Sequence, residues 1–292
     1  MERFFFQSNL PMFILFLRKK PLHSFLLLLS TTLICLSSLA QGDVQIYPKR
    51  ILFDGSKRAQ ELSIANSGKD TARYTISVIQ IRMKEDGSFE TIDSPDEGQS
   101  FADKNFRFFP RTVVLAPNEA QTVKIQLLKF NELAAGEYRS HLYFRAEAEK
   151  KPLGQDSIIK NSSISVRIVP TYGISIPVII RSGESSTEIS VSQVRFAWEK
   201  DTIPVLNFDL NRNGNMSVYG DISVDYLSPE GKEIRVGSVK GMSVYTPNTV
   251  RHFHLPLQKN PAVNFKKGSL HIVYTDVSGP VQKVAQQQIL LN

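Results

Sequence analysis

From Ser163 to Arg181 every second residue is apolar. Ile164, Val166, Ile168, Pro170, Tyr172, Ile174, Ile176, Val178 and Ile180 make one set. Ser165, Arg167, Val169, Thr171, Gly173, Ser175, Pro177, Ile179 and Arg181 make the interleaved set, mostly small or polar. Side chains alternate faces along a strand, so the pattern predicts one long strand with one apolar face. Ordinary strands run to about 5–6 residues. Pro170 and Pro177 remove ladder donors, which places the strand at a sheet edge. A long apolar edge is an aggregation hazard that proteins usually suppress, so keeping one suggests pairing with a strand of another protein. The competing reading is a pair of ordinary core strands broken at Pro170 or Gly173.

The rest of the chain repeats the strand signal. Val44 to Phe53, Ala59 to Asn66, Arg73 to Arg82, Thr112 to Leu115, Gln121 to Leu128 and Tyr138 to Ala148 read as strands, with turn residues between them. Leu62 and Ile64 point inward, as do Tyr74, Ile76 and Val78. Residues 84 to 105 are polar and turn-rich, and read as a loop or a hairpin with a mobile tip. Residues 150 to 163 read as a polar loop. Beyond Arg181 a second run follows: Thr187 to Phe196, Pro204 to Asn211, Val218 to Tyr226, Lys232 to Val239, Val250 to Leu257, Gly268 to Thr275 and Gln282 to Leu291. No amphipathic helix appears. The fold class is therefore all-β, with two immunoglobulin-like β-sandwich domains. The expected boundaries are a signal peptide over 1–40, a first sandwich over 41–181, a hinge over 182–186 and a second sandwich over 187–292.

The N-terminus reads as a targeting segment. Arg18, Lys19 and Lys20 precede an apolar run from Phe25 to Leu36, and Ser38-Leu39-Ala40 is a small-x-small cleavage site. Met12 is an alternative start, and an uncleaved anchor is the competing reading. Ile34 before Cys35 is too bulky for a lipidation site. Cys35 is the single cysteine, so a cleaved chain has no disulfide, thiol nucleophile or cysteine metal site. The net charge of +7 falls to +4 once Arg3, Arg18, Lys19 and Lys20 are set against Glu2. Both signs are mixed along the chain, which argues against nucleic acid as a partner.

Three segments carry a family resemblance. Arg50-Ile51-Leu52-Phe53-Asp54-Gly55, followed by Leu62-Ser63-Ile64-Ala65-Asn66, is similar to an opening Arg-x-x-Phe/Tyr-x-Gly and a strand ending in Asn. Phe109-Pro110-Arg111 and Leu115-Ala116-Pro117 through Gln121-Thr122-Val123-Lys124-Ile125 form the second. Gly136-Glu137-Tyr138-Arg139-Ser140-His141-Leu142-Tyr143-Phe144-Arg145 is the third. Together they resemble the periplasmic pilus-assembly chaperones of the chaperone–usher pathway, the PapD-like family. The second domain matches only in size, strand content and the Asn213-Gly214-Asn215 turn.

The resemblance implies an ATP-independent chaperone in the periplasm. Its partners would be pilin-like or surface subunits and an outer-membrane usher, with no cofactor and no small-molecule substrate. Carried over by position, the donor strand is Ile164, Val166 and Ile168, continued by Pro170 and Tyr172. Arg50 matches an arginine that anchors the client's C-terminal carboxylate, which a guanidinium can bind in bidentate fashion. Glu137 and Arg181 match an interdomain ion pair. The family's second anchoring cation, a lysine, falls here on Pro177, or on Ser175 after a shift of two. Lys49 and Lys124 are the substitutes at hand.

Other classes are weaker. His252 and His254 share a strand face, but a metal site needs a third ligand, and only His271 is left in that domain. No Gly-x-Ser-x-Gly elbow or Cys–His pair supports an enzyme. A structural or adhesive envelope protein, or a secretion accessory, would keep the fold without the carboxylate anchor.

Overall fold

The computed structural model describes residues 44–147, 172–278 and 283–291. The first half contains β1 (Val44–Tyr47), β2 (Ile51–Phe53), β3 (Ala59–Asn66), β4 (Ala72–Ile79), β5 (Ile81–Met83), β6 (Phe89–Thr91), β7 (Phe106–Phe109), β8 (Thr112–Leu115), β9 (Ala120–Leu127), β10 (Gly136–Ala146) and β11 (Gly173–Ser182). Two layers form, an antiparallel β1-β3-β9-β7 and a mixed β2-β11-β10-β4-β8 in which only the β2–β11 pair is parallel, with β5 and β6 a separate ribbon. The layers enclose one core that includes Ile51, Phe53, Leu62, Ile64, Ile76, Val123, Ile125, Leu142 and Phe144.

The strand expected over Val44 to Phe53 is two strands. Pro48 has no N–H to donate, and the chain changes sheets across it: β1 pairs antiparallel with β3, and β2 pairs parallel with β11. β7 was not anticipated from the sequence. Phe106 and Phe108 fill the core while Arg107 and Phe109 face out, so a run of three aromatics conceals a two-residue period. Of the two readings for residues 84 to 105, a loop or a hairpin with a mobile tip, the hairpin is found at its start: β5 pairs antiparallel with β6, and the tip between them is bonded to the second sandwich.

The second half contains β12 (Glu188–Glu199), β13 (Ile203–Asn213), β14 (Val218–Leu227), β15 (Glu233–Val244), β16 (Val250–Pro256), β17 (Ser269–Asp276) and β18 (Lys283–Leu290). Its layers are β12-β13-β16 and β15-β14-β17-β18. A separate core gathers Leu206, Phe208, Leu210, Val224, Tyr226, Leu270, Ile272 and Tyr274. The chain passes between sandwiches at Gly183–Thr187. There Ser186 N donates to Asn215 Oδ1 at 3.0 Å, and Thr187 Oγ1 donates to Met216 O at 2.9 Å. Both sandwiches belong to one compact unit, Val44–Asn292. Among the described residues there is no helix long and apolar enough to cross a membrane.

Candidate functional site: a strand rim and an arginine-lined junction

β11 is bonded unequally along its two rims. β10 pairs with it from Gly173 to Ser182. On the other rim β2 covers only Val178 to Ile180. Gly173 to Ile176 therefore have no backbone partner on that rim among the described residues. Ala146 N donates to Tyr172 O at 2.9 Å, so Tyr172 turns its own polar groups toward β10. Hydrogen-bonding direction alternates along a strand, so Gly173, Ser175 and Pro177 point theirs at the β2 rim. Pro177 thus costs the β10 ladder nothing, which explains a proline inside a long strand.

The apolar row on β11 runs out of the core. Val178 and Ile180 are fully buried and Ile176 is 4% exposed, but Ile174 is 37% exposed and Tyr172 53%. The donors expected at Ile164, Val166 and Ile168 lie outside the described residues, as does Pro170. The structure adds one reversal on the interleaved face. Ile179, grouped by alternation with the polar set, is completely buried against Met83, Tyr245 and Leu52. That face of the β10–β11 sheet is covered by the second sandwich and the β5–β6 ribbon, not by water.

The covered face is densely charged. Glu137, Arg139 and His141 follow one another at alternate positions of β10, all buried. Glu137 lies directly across from Arg181 in the β10–β11 register. Arg181 Nε donates to Glu137 Oε2 at 3.1 Å, Nη1 to Ser278 O at 2.8 Å and Nη2 to Ser217 O at 2.5 Å. Glu137 also accepts from Ser217 N at 2.9 Å and from the Ser217 hydroxyl. The ion pair is thus a cross-strand contact within the first sandwich. Its link to the second sandwich runs through Ser217 and Ser278. Arg139 sits 3.6 Å from Glu137, donates to Thr246 O at 3.0 Å and lies over the Tyr245 ring at 4.2 Å. Burial lowers its pKa, opposed by Glu137.

Arg50 stands apart from this network. It occupies the bend between β1 and β2, partly buried, with its guanidinium 4.3 Å from the centroid of the Tyr219 ring. Burial draws its pKa below the ordinary arginine value, and Arg181 adds to the fall while Tyr245 and Glu137 oppose it. An arginine nonetheless stays charged. Among the described residues it makes no hydrogen bond or ion pair. Arg139 and Arg181 spend their donors on main-chain oxygens; Arg50 does not.

No lysine joins it. Pro177 faces His141 across β10 and β11. Lys124 is exposed on β9, in the opposite layer, between the buried Val123 and Ile125. It cannot serve the junction. Lys49 is exposed beside Arg50.

Sequence reading missed the residues that close this face. Phe89 of the ribbon, His141 and Tyr245 form a mutual aromatic cluster with centroids 6.2–6.5 Å apart. Asn248 Nδ2 donates to Met83 O at 2.7 Å, and His252 N donates to Glu85 O at 2.7 Å, holding the ribbon to the second sandwich. Arg251 lies against Gly87 so closely that a Cβ there would collide with its guanidinium. His252, weighed as a metal ligand, bonds Asp209 through Nδ1 at 2.7 Å and reaches Glu85 through Nε2 at 3.4 Å. His254 Nδ1 meets Asn207 Oδ1 at 2.9 Å. Among the described residues no three His, Cys, Asp or Glu side chains are placed to hold a metal ion.

No family model and no curated protein matches the chain. Solved structures do. The CsuC–CsuE chaperone–tip adhesion subunit pre-assembly complex, from the archaic chaperone–usher Csu pili of Acinetobacter baumannii, is 12% identical with a TM-score of 0.43, over 83% of this chain and 97% of that one. The Pseudomonas aeruginosa CupB2 chaperone is 14% identical with a TM-score of 0.40, over 83% and 99%. The Salmonella enterica SafA pilin in complex with the SafB chaperone is 11% identical with a TM-score of 0.40, over 86% and 98%.

Proposed function

We propose that this chain is a periplasmic, ATP-independent chaperone that lends the bare rim of β11 to pilin-like or surface subunits missing a strand. The observation that carries the reading is the apolar row leaving the core at Ile176 and continuing through Ile174 and Tyr172 beside an unpaired rim. A client with an open apolar groove would gain main-chain pairing along that rim. Each aliphatic side chain it buries is worth about 1.5–3 kcal/mol. Arg50, charged and free of hydrogen bonds among the described residues, supports a carboxylate anchor at the end of the same rim. Ile164, Val166 and Ile168 extend the apolar period of the sequence and complete the proposed donor set. An outer-membrane usher is the proposed receiver of the loaded complex.

The test is co-expression with a pilin-like subunit lacking its last strand. The wild type should co-purify with it one to one. Ile174→Asp combined with Tyr172→Asp places charge on the exposed part of the row and should abolish capture without changing the melting temperature. Undiminished capture would remove the donor-strand reading.

A further inference from the structure

Arg50 must be held still to recognise a carboxylate, and its own strand does not hold it. It lies between β1 and β2, outside both ladders. Among the described residues its guanidinium rests on the face of Tyr219, on β14 of the other sandwich. Tyr219 is itself well fixed. Its N–H donates to Asp276 Oδ1 at 3.0 Å, and its carbonyl accepts from Val277 N at 2.8 Å. At the hydroxyl end of the ring lies Gly241, at φ +71°, where a Cβ would come within 2.9 Å of the tyrosine oxygen. The absence of a side chain there makes room for the ring.

We propose that Tyr219 is the positioning residue for Arg50, so that the second sandwich supplies the platform from which the first sandwich's arginine binds a client's terminal carboxylate. This rests on the carboxylate-anchor reading of Arg50. A guanidinium over an aromatic face gives up none of its in-plane N–H donors, whereas a salt bridge would consume them. Stacking therefore orients the arginine and leaves its fork open for a bidentate guest. Arg181 shows the other arrangement: it is held by hydrogen bonds from Nε, Nη1 and Nη2. Arg139 combines the two, lying over the Tyr245 ring while donating to Thr246 O. With proline at the position of a second cation, the anchor among the described residues is one well-aimed guanidinium.

The probe is a fluorescein-labelled twelve-residue peptide of alternating apolar residues, made with a free C-terminal carboxylate and again as its C-terminal amide. The readout is the affinity ratio of acid to amide by anisotropy. The full chain should prefer the acid by about tenfold, on the scale of a partly desolvated charge contact. Arg50→Ala should bring the ratio to about one. Tyr219→Leu and Tyr219→Met, neither with a π face, should do the same while melting normally. Tyr219→Phe should restore the preference, which a merely structural role for the hydroxyl would not allow. A ratio unaffected by Arg50→Ala, or no preference in the wild type, would overturn the anchor reading itself. A ratio lost with Arg50→Ala but kept with the leucine and methionine variants would overturn only the role given to Tyr219.

Discussion

Replacing His141 with phenylalanine should remove a defined share of the protein's acid sensitivity. His141 is 2% exposed, its Nδ1 has no hydrogen-bond partner among the described residues, and it packs against both Phe89 and Tyr245. Burial, with the positive charge of Arg139, pushes its pKa down to about 3. An unfolded histidine titrates near 6.5. The native state therefore refuses a proton that the unfolded state accepts. Stability contributed by the neutral ring is complete above about pH 6.5 and falls by about 1.4 kcal/mol per pH unit below it, until the folded pKa near 3 is reached. At about pH 5 the loss comes to about 2 kcal/mol. Urea unfolding of wild type and His141→Phe, each at about pH 7.5 and about pH 5, isolates this share because the other groups are common to both proteins. With a slope of about 3 kcal/mol per molar urea, the wild-type midpoint should fall by about 0.7 M more than the variant's. The absolute stability of the variant is immaterial. Equal pH shifts in the two proteins would refute the claim that this imidazole is held neutral.

Two further outcomes follow from the junction. Glu137→Gln should lower stability by about 3–5 kcal/mol, read by urea unfolding, because it leaves Arg139 and Arg181 buried without their carboxylate. His252 should show the opposite pH sign to His141: hydrogen bonding to Asp209, then Glu85, raises its pKa. Its stabilisation is complete below about pH 6.5 and fades as pH rises through the raised value. His252→Gln should therefore lower the urea midpoint more at about pH 6 than at about pH 8.5, and an equal loss at both would refute it.

Alternation made the sandwiches legible, because one buried face per layer imposes a two-residue period. Leu62 and Ile64 on β3, and Ile76 on β4, sit in the core as that period requires. The rule failed where a layer is buried on both faces. Ile179 looked like an apolar intruder in a polar set, but the second sandwich covers it. The same covering hid the roles of Arg139 and His141. A signal was present: Glu137, Arg139 and His141 are three ionisable residues in succession on one face of a strand whose other face is core. Nothing in that pattern distinguishes a wet face from one roofed by another domain. The closing residues Phe89, Tyr245 and Thr246 come from distant parts of the chain, beyond any local period. Arg50 was singled out by resemblance alone. Its contact with the Tyr219 ring was not legible, because Tyr219 lies 169 positions away in the sequence.

Pro177 has a consequence for any strand that docks beside β11. Gly173 and Ser175 can each offer an amide hydrogen to the newcomer, but Pro177, the third outward site, has none. Just beyond it the berth is taken by Ile51, Leu52 and Phe53. A visiting chain could therefore slide along β11 only until its next carbonyl found nothing to receive. The proline would act as a mechanical stop, setting the frame in which visitor and host are aligned.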